Sequence, residues 1–231
     1  MTETLDLDRR QLDAVTTELL DRHCGPDHLR ERLDAGAAHS ASLWARLAET
    51  GLVSALVADE FGGAGLTPRH LPGVLLRTGY HALPEPYLET AVLAATVLTA
   101  FADDPDVAQR LASLAEGSLL VAVRISDLDP HVAFAAESDV VLDVARDGTI
   151  TAYRTGEVEV ESLPAVDPFR PVARVRPRGR GTVLGVSPQL AARVRTLAVA
   201  GAACQLAGAA RRLLDLTVEY VGVRHQFGRP V

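Results

Sequence analysis

The last stretch of the sequence combines side chains that suit a nucleotide contact. It reads RHQFGRPV from Arg224 to Val231. An arginine is a natural partner for a pyrophosphate, and the flat ring of Phe227 can lie beside an adenine. Gly228 would let the backbone approach a ligand closely, and Gln226 adds a polar side chain between them. The same residues are also compatible with a plain helix end, at which an arginine complements the helix dipole.

Two other groups of residues are weaker candidates for chemistry. His23, Cys24 and His28 lie close together, but no second cluster completes a set of four metal ligands. The glycine-rich turn from Phe61 to Gly65 has neither the GxGxxG spacing nor the lysine of a phosphate-binding loop. We therefore predict no metal site and interpret the turn as a tight connection.

Arginine occurs at every second position from Arg174 to Arg180. On an extended strand these side chains would share one face, which could hold phosphates or meet an acidic partner. The alternative is a solvated edge strand on which Pro177 and Gly179 block further pairing.

Composition narrows the class of protein. Of the 231 residues 48% are hydrophobic, which is ample for a core. The net charge is −7, and this acidic balance argues against general nucleic-acid binding. The longest nearly apolar run, Leu197 to Ala210, is too short to span a bilayer, and the acidic N-terminus lacks the apolar core of a signal peptide. Cys24 and Cys204 suggest no disulfide framework, so we expect a cytoplasmic protein without membrane contact.

The pattern of elements predicts an α+β fold. Helical spacing recurs through the first half, including one helix predicted from Asp27 to Thr50. Segments rich in β-branched residues follow, with Asp147-Gly148 as a hairpin turn. The run from Pro188 to His225 has no internal proline and predicts one helix of roughly 55 Å. We predict an N-terminal helical domain (1–117), a small middle β-sheet domain (118–186) and a C-terminal helical segment (187–231).

Three segments resemble the acyl-CoA dehydrogenase family. The tail YVGVRHQFGRPV, from Tyr220 to Val231, is similar to the family's Y-x-x-x-R-x-Q-F-G-x-P-I. LAETGL from Leu47 and DEFGGAGL from Asp59 resemble L-A-E-x-G-L and P-E-E-x-G-G-x-G-L. The resemblance implies a flavoprotein oxidoreductase of fatty acid or lipid metabolism, with FAD as the cofactor. Its substrate would be an acyl-CoA, or an acyl-carrier thioester, desaturated at the α,β position, and its subunits would form dimers or tetramers.

The resemblance also assigns cofactor-binding residues. By the family pattern, Arg224, Gln226 and Phe227 would contact the ADP half of an FAD held mainly by the neighbouring subunit. Gly228 would permit that approach.

The chain departs from the family pattern at the flavin ring and at the catalytic base. The T-E-P-x-x-G-S-D signature that should follow Val121 to Val123 is missing, as is the W-I-T segment that lines the ring. The resemblance then implies that the middle domain (118–186) is a shortened β-barrel and that 187–231 is the start of a C-terminal helical bundle. Glu219 is the only glutamate in the long helix and lies too close to Arg224 to be the family's base, so the catalytic residue is not found in this chain.

We therefore interpret the chain as an acyl-CoA dehydrogenase-like subunit of a heteromeric enzyme, in which a partner chain supplies the base and most of the flavin pocket. The sequence stops just after the tail motif, and so apolar a helix would not remain exposed alone, which implies either a fragment or a second polypeptide that completes the bundle. Two alternatives remain: a fragment of an ordinary homomeric acyl-CoA dehydrogenase, and a non-catalytic structural subunit without flavin.

Overall fold

The first half of the chain is helical. A computed structural model describes residues 2–37, 39–126, 131–226 and 229–230. A π-helical segment, Tyr87–Ala94, leads directly into the fifth helix, and short 3₁₀ turns lie at Asp59–Phe61 and Pro68–His70. The helices of this half are α1 (Thr2–His23), α2 (Pro26–Asp34), α3 (Ala41–Glu49), α4 (Pro72–Tyr80), α5 (Ala95–Thr99) and α6 (Pro105–Ala115).

The single helix predicted from Asp27 to Thr50 is wrong, since the structure divides it into α2 and α3. Gly36 adopts a left-handed φ of +63°, which a continuing helix cannot accommodate. The hydroxyl of Ser40 then accepts a hydrogen bond from the Leu43 N–H at 3.4 Å and so caps a new helix.

Two sheets form the middle of the chain. One has the strand order β1-β3-β4-β7, with β1 parallel to β3, and the other has the order β2-β6-β5. The hairpin predicted at Asp147-Gly148 joins β3 to β4 and is confirmed. The strands are β1 (Val121–Ile125), β2 (His131–Ala133), β3 (Val140–Val144), β4 (Thr149–Arg154), β5 (Val158–Leu163), β6 (Val172–Pro177) and β7 (Thr182–Val186).

The edge-strand interpretation of the alternating arginines is wrong at Arg174. The strand β6 lies between β2 and β5, and β2 pairs with the first half of β6, Val172–Arg174. Arg174 and Arg176 both face Glu161 on β5, at 2.9 and 3.6 Å, and Arg178 lies 3.4 Å from Glu159. These carboxylates offset the charge of the row, which weakens the case for a phosphate site there.

A long helix, α7 (Pro188–Val223), follows the sheets, as predicted. The Ser187 hydroxyl caps it by accepting from the Leu190 N–H at 3.2 Å. The first turns of α7 contribute Leu190 and Val194 to one apolar core that also contains Trp44 of α3 and Val121 of β1. The α+β class, with helices first, sheets in the middle and a C-terminal helix, is confirmed. The domain limits 1–117, 118–186 and 187–231 stay a prediction.

Two short strands end the chain, β8 (His225–Gln226) and β9 (Arg229–Pro230), and they pair antiparallel. Of the helices within the described ranges, none is long and apolar enough to cross a membrane.

Candidate functional site

The C-terminal part of α7 projects away from the rest of the chain. Among the described residues, the last side-chain hydrogen bond from α7 to another helix is that of Asp215, whose carboxylate accepts from the Tyr80 hydroxyl of α4 at 3.1 Å. The guanidinium of Arg212 lies over the Tyr80 ring, 5.3 Å from its centroid. Beyond this anchor, all residues from 216 to 226 are exposed. The segment with the predicted nucleotide contact is therefore held at the tip of a projecting helix.

Arg224 ends α7, and Gln226 follows it on the β8–β9 hairpin. The Arg224 N–H donates to the Tyr220 carbonyl at 2.9 Å, which closes the last helical turn. Its guanidinium lies 5.9 Å from the centroid of the Tyr220 ring and, within the described part of the chain, has no carboxylate partner. Phe227 and Gly228, the other two predicted contact residues, lie outside the described residues. Arg224 and Gln226 are thus exposed polar groups on one short segment.

One face of α7 carries exposed apolar side chains at seven-residue spacing. Val199, Leu206, Leu213 and Tyr220 are 62%, 71%, 66% and 57% exposed, and we call this row the α7 seam. Apolar residues at such spacing line the contact between packed helices. The α7 seam is therefore suited to another helix.

A cleft lies between α4, the sheets and α7. Its larger cavity, about 310 Å³, is walled by the turn after α4, the loop between β5 and β6, and the small residues Ala202 and Ala209 of α7. A smaller cavity of about 220 Å³ adjoins it and is lined by the π-helical segment, β1 and β2. The two cavities share Arg170 and Ala202 on their walls, so they are neighbours in the cleft.

Glu89 and Arg170 form an ion pair in this cleft. The Glu89 side chain is buried, and its Oε1 accepts a hydrogen bond from the Arg170 guanidinium. Among the described residues, Oε2 of Glu89 has no hydrogen-bond partner. The pair therefore leaves one buried carboxylate oxygen unsatisfied beside a mostly apolar cavity.

Two residues of the larger cavity have a left-handed backbone. Ala82 has φ +48° and Phe134 has φ +56°, and both line this cavity. Such conformations are unfavourable for residues other than glycine and tend to persist where the surrounding structure imposes them, often at functional sites. The strained positions coincide with the cleft.

The remaining sequence candidates have structural roles. The Cys24 thiol is buried and lies 3.6 Å from the His81 carbonyl, to which it donates, and burial raises its pKa to about 12. The structure describes His23, Cys24 and His28, and no group of metal-ligating side chains occurs in the described ranges. In the glycine-rich turn, a Cβ at Gly63 would lie 2.0 Å from the Val57 carbonyl oxygen, so this turn is tightly packed, as interpreted.

The sequence interpretation missed Glu89 and Arg170. Glu89 is the only charged residue in the apolar stretch from Tyr87 to Phe101, and a lone charge there is an indication that it is paired. Arg170 lies in the loop PAVDPFRP (164–171), whose three prolines indicate a turn but do not indicate an ion pair.

Comparison with known proteins gives relatives over nearly the whole chain. The chain is 32% identical over 225 residues to the acyl-CoA dehydrogenase IpdE2 of Mycobacterium tuberculosis. This alignment covers 97% of this chain and 67% of IpdE2. No protein-family model matches the chain.

Solved structures show the same fold. The ChsE4-ChsE5 complex from Mycobacterium tuberculosis superposes with a TM-score of 0.83 at 23% identity, over 96% of this chain and 69% of that one. An FAD complex of PigA superposes with a TM-score of 0.72 at 15% identity, over 100% and 71% of the two chains. Because the alignment with IpdE2 spans almost all of this chain and two thirds of that protein, the chain belongs to the acyl-CoA dehydrogenase family.

Proposed function

We propose that this chain is a subunit of an FAD-dependent acyl-CoA dehydrogenase, an enzyme that desaturates an acyl-CoA thioester at the α,β position. In this proposal the chain contributes contacts to the ADP half of an FAD held mainly by a partner subunit. The observation that carries the proposal is the position of Arg224 and Gln226, exposed on the hairpin at the tip of α7. From there they can reach a neighbouring chain, whereas the residues of α7 that line the cleft lie in the part of the helix that packs on α4.

The state of Arg224 fits a phosphate ligand. Its guanidinium is exposed and unpaired by any carboxylate of the described chain, so a pyrophosphate would not have to displace an existing ion pair. Its contact with the ring of Tyr220, one helical turn earlier, restricts the side chain. Charge-assisted bonds from arginine to phosphate are among the stronger hydrogen bonds in proteins.

A bound FAD would supply the acceptor for the hydride that leaves the acyl group, and this chain would orient its nucleotide end. We assign the base that removes the α-proton to the partner. Glu219, the only glutamate of α7, is exposed on the projecting part of the helix rather than in the cleft.

The cleft supports the view that the flavin ring is not held by this chain. By the family pattern, the missing T-E-P-x-x-G-S-D signature would follow Val123, and Val123 and Ile125 here line the small cavity beside the Glu89–Arg170 pair. The missing W-I-T segment and the charged pair on the cavity wall support a flavin ring that is held by the partner.

The α7 seam supports a partner subunit of similar helical architecture. The seam exposes a large apolar side chain at the same position of four successive heptads, which is unusual for a surface that stays in water. We propose that helices of an acyl-CoA dehydrogenase-like chain cover it; the chain of the ChsE4-ChsE5 complex that shares this fold is likewise part of an assembly.

The test is co-purification of this chain with candidate acyl-CoA dehydrogenase-like partners, followed by a visible absorption spectrum. We expect a complex with bound FAD whose flavin absorbance bleaches when an acyl-CoA is added. A stable complex that never contains flavin would favour a structural subunit instead. Flavin bound stoichiometrically by this chain alone would favour a homomeric enzyme and contradict the proposal.

A further inference from the structure

The projecting part of α7 leaves the body of the chain at one cluster of side chains. Arg212 and Asp215 are the last half-buried residues of this helix, and both contact Tyr80 of α4. We call Tyr80, Arg212 and Asp215 the α4–α7 clasp. All residues from 216 to 226 are exposed, so among the described residues the clasp holds the last side-chain hydrogen bonds between the two helices.

The contacts of the clasp are directional. The Tyr80 hydroxyl donates to the Asp215 carboxylate at 3.1 Å and accepts from the Arg212 guanidinium at 3.4 Å. A hydroxyl can donate and accept at once, so two residues of α7, three positions apart, are tied to one atom of α4. Because hydrogen bonds depend on angle as well as distance, the clasp restrains both the tilt of α7 and its rotation about its own axis.

The Tyr80 ring is itself held in place. It meets the His81 ring edge-on, with the two centroids 5.2 Å apart, and the Arg212 guanidinium covers its face at 5.3 Å from the centroid. Tyr80 also follows Gly79, at which α4 and α7 approach too closely for any side chain. The clasp therefore lies directly beside the helix crossing.

The length of α7 amplifies a movement at the clasp. Gly208, where the helix crosses α4, lies seven residues before Asp215 and sixteen before Arg224. At ~1.5 Å per residue these spans are about 10 and 24 Å, so a tilt that moves the clasp by about 1 Å moves the helix end by about 2 Å. A shift of that size is enough to break a hydrogen bond of about 3 Å.

We propose that the α4–α7 clasp is a positioning device for the cofactor contact. It fixes the direction of the projecting helix so that Arg224 meets the ADP half of an FAD held by the partner. Tyr80 and Arg212 are then positioning residues, which act on the cofactor only through Arg224. The apolar contacts of the α7 seam with a partner are non-directional, so they do not replace the clasp. This inference rests on the proposed FAD contact at Arg224.

The test is the affinity of the assembled complex for FAD in two variants. Arg212→Ala removes the cation from the Tyr80 ring, and Tyr80→Phe removes only the hydroxyl. We expect each variant to bind FAD about fivefold more weakly, because the fraction of helix ends in the competent position falls to about one fifth. The affinity for the partner chain, measured without FAD, should be nearly unchanged, since the seam keeps its side chains.

Arg211→Ala is the matched control. This neighbouring arginine pairs with Asp215 on its own helix, at 3.0 Å, so its removal leaves both hydrogen bonds of Tyr80 in place. The variant should bind FAD as the natural complex does. Should Arg212→Ala not assemble with the partner, Tyr80→Phe is the smaller change and decides the proposal.

A double-variant cycle separates positioning from a general loss of structure. If the clasp acts through Arg224, Arg212→Ala should weaken FAD binding no further in an Arg224→Ala background. Additive effects would overturn this proposal. So would unchanged FAD affinity in both clasp variants, which would mean that the partner alone directs the helix. Either result leaves the FAD contact standing, whereas no effect of Arg224→Ala by itself would overturn the proposed function and this inference together.

Discussion

His39 and Glu85 form a partly buried ionisable pair beside the start of α3. Nδ1 of His39 lies 2.5 Å from Oε2 of Glu85, whose other oxygen accepts from the Ser40 N–H at 2.8 Å. The hydrogen bond to Glu85 raises the pKa of His39, while burial raises the pKa of Glu85. Both shifts mean that the folded state holds more protons than the unfolded chain.

This pair predicts a pH dependence of stability. Because the pKa of His39 is raised on folding, its contribution is complete below about pH 6.5, the ordinary value for histidine, and is lost as pH rises through the raised pKa. The raised pKa of Glu85 acts with the same sign at lower pH. We expect the urea midpoint of the natural chain to fall between pH 6 and pH 9 by more than that of His39→Gln. Parallel curves would contradict the assignment.

The residues of the site differ in how far sequence could predict them. Arg224 and Gln226 were found because their spacing matches a family pattern, and Arg224 combines charge with exposure in the structure. Glu89 and Arg170 are far apart in sequence and come together only because the π-helical segment packs beside the loop after β5. Such a pairing depends on tertiary packing, which no local pattern encodes.

At the scale of elements, the crossing of α4 and α7 depends on two glycines. A Cβ at Gly79 would lie 1.9 Å from the Gln205 carbonyl oxygen, and one at Gly208 would lie 1.9 Å from the Leu76 carbonyl oxygen. The helix backbones therefore approach too closely for any side chain at these positions. This close approach positions α7 as one wall of the cleft and directs its tip outward.

The crossing makes Gly208→Ala a disruptive substitution. The added methyl would overlap backbone atoms, so we expect a loss of about 1–3 kcal/mol in the free energy of unfolding, measured by urea denaturation. Gly222, on the same helix, has open space around it, and Gly222→Ala should instead stabilise by about 0.5–1 kcal/mol. Equal effects of the two changes would contradict the close crossing.

The turn after α4 offers a second test. Ala82 follows the helix with φ +48°, a position at which glycine is usual. Relief of about 1–2 kcal/mol of backbone strain should outweigh the extra entropy of the unfolded chain, about 0.4–1 kcal/mol. We expect Ala82→Gly to raise the free energy of unfolding by about 0.5–1 kcal/mol.

The control for that substitution is Ala209→Gly, in the same cleft but inside α7. It should destabilise by about 0.5–1 kcal/mol, because glycine disfavours a helix interior. A loss of stability in both variants would mean that Ala82 is not strained.

Element boundaries followed from local signals where these were strong. Ser187-Pro188 set the start of α7, and Asp147-Gly148 set the β3–β4 hairpin. The break at Gly36 was missed because the apolar positions on either side of it suggest one continuous helix. The strand β2 has only three residues and is held by its pairing with β6, so its own sequence carries little signal.

At the scale of the whole molecule, the α7 seam and the hairpin tip are directed outward from the chain's own core. The order of helices, sheets and a final helix could be predicted from the sequence, because the helical segments and the strand segments have different hydrophobic periodicities. The position of the seam relative to the cleft could not be predicted in this way, because that position depends on the close contacts of Gly79 and Gly208.

The seam predicts a substitution that affects assembly but not folding. Leu213 is 66% exposed in this chain, so Leu213→Glu should leave the urea midpoint nearly unchanged. In a complex the charge would be buried, so we expect at least about a tenfold loss of affinity for the partner chain. Leu7→Glu, at an exposed leucine of α1, is the matched control. Equal affinity of both variants for the partner would exclude the seam as the interface.

The affinity of the assembled complex for FAD tests the central claim most directly. Loss of a charge-assisted contact to the pyrophosphate should make Arg224→Ala bind FAD about tenfold to a hundredfold more weakly. Arg211→Ala, which removes an arginine of the same helix that pairs with Asp215 at 3.0 Å, should bind FAD as the natural complex does. Unchanged FAD affinity in Arg224→Ala would contradict the account.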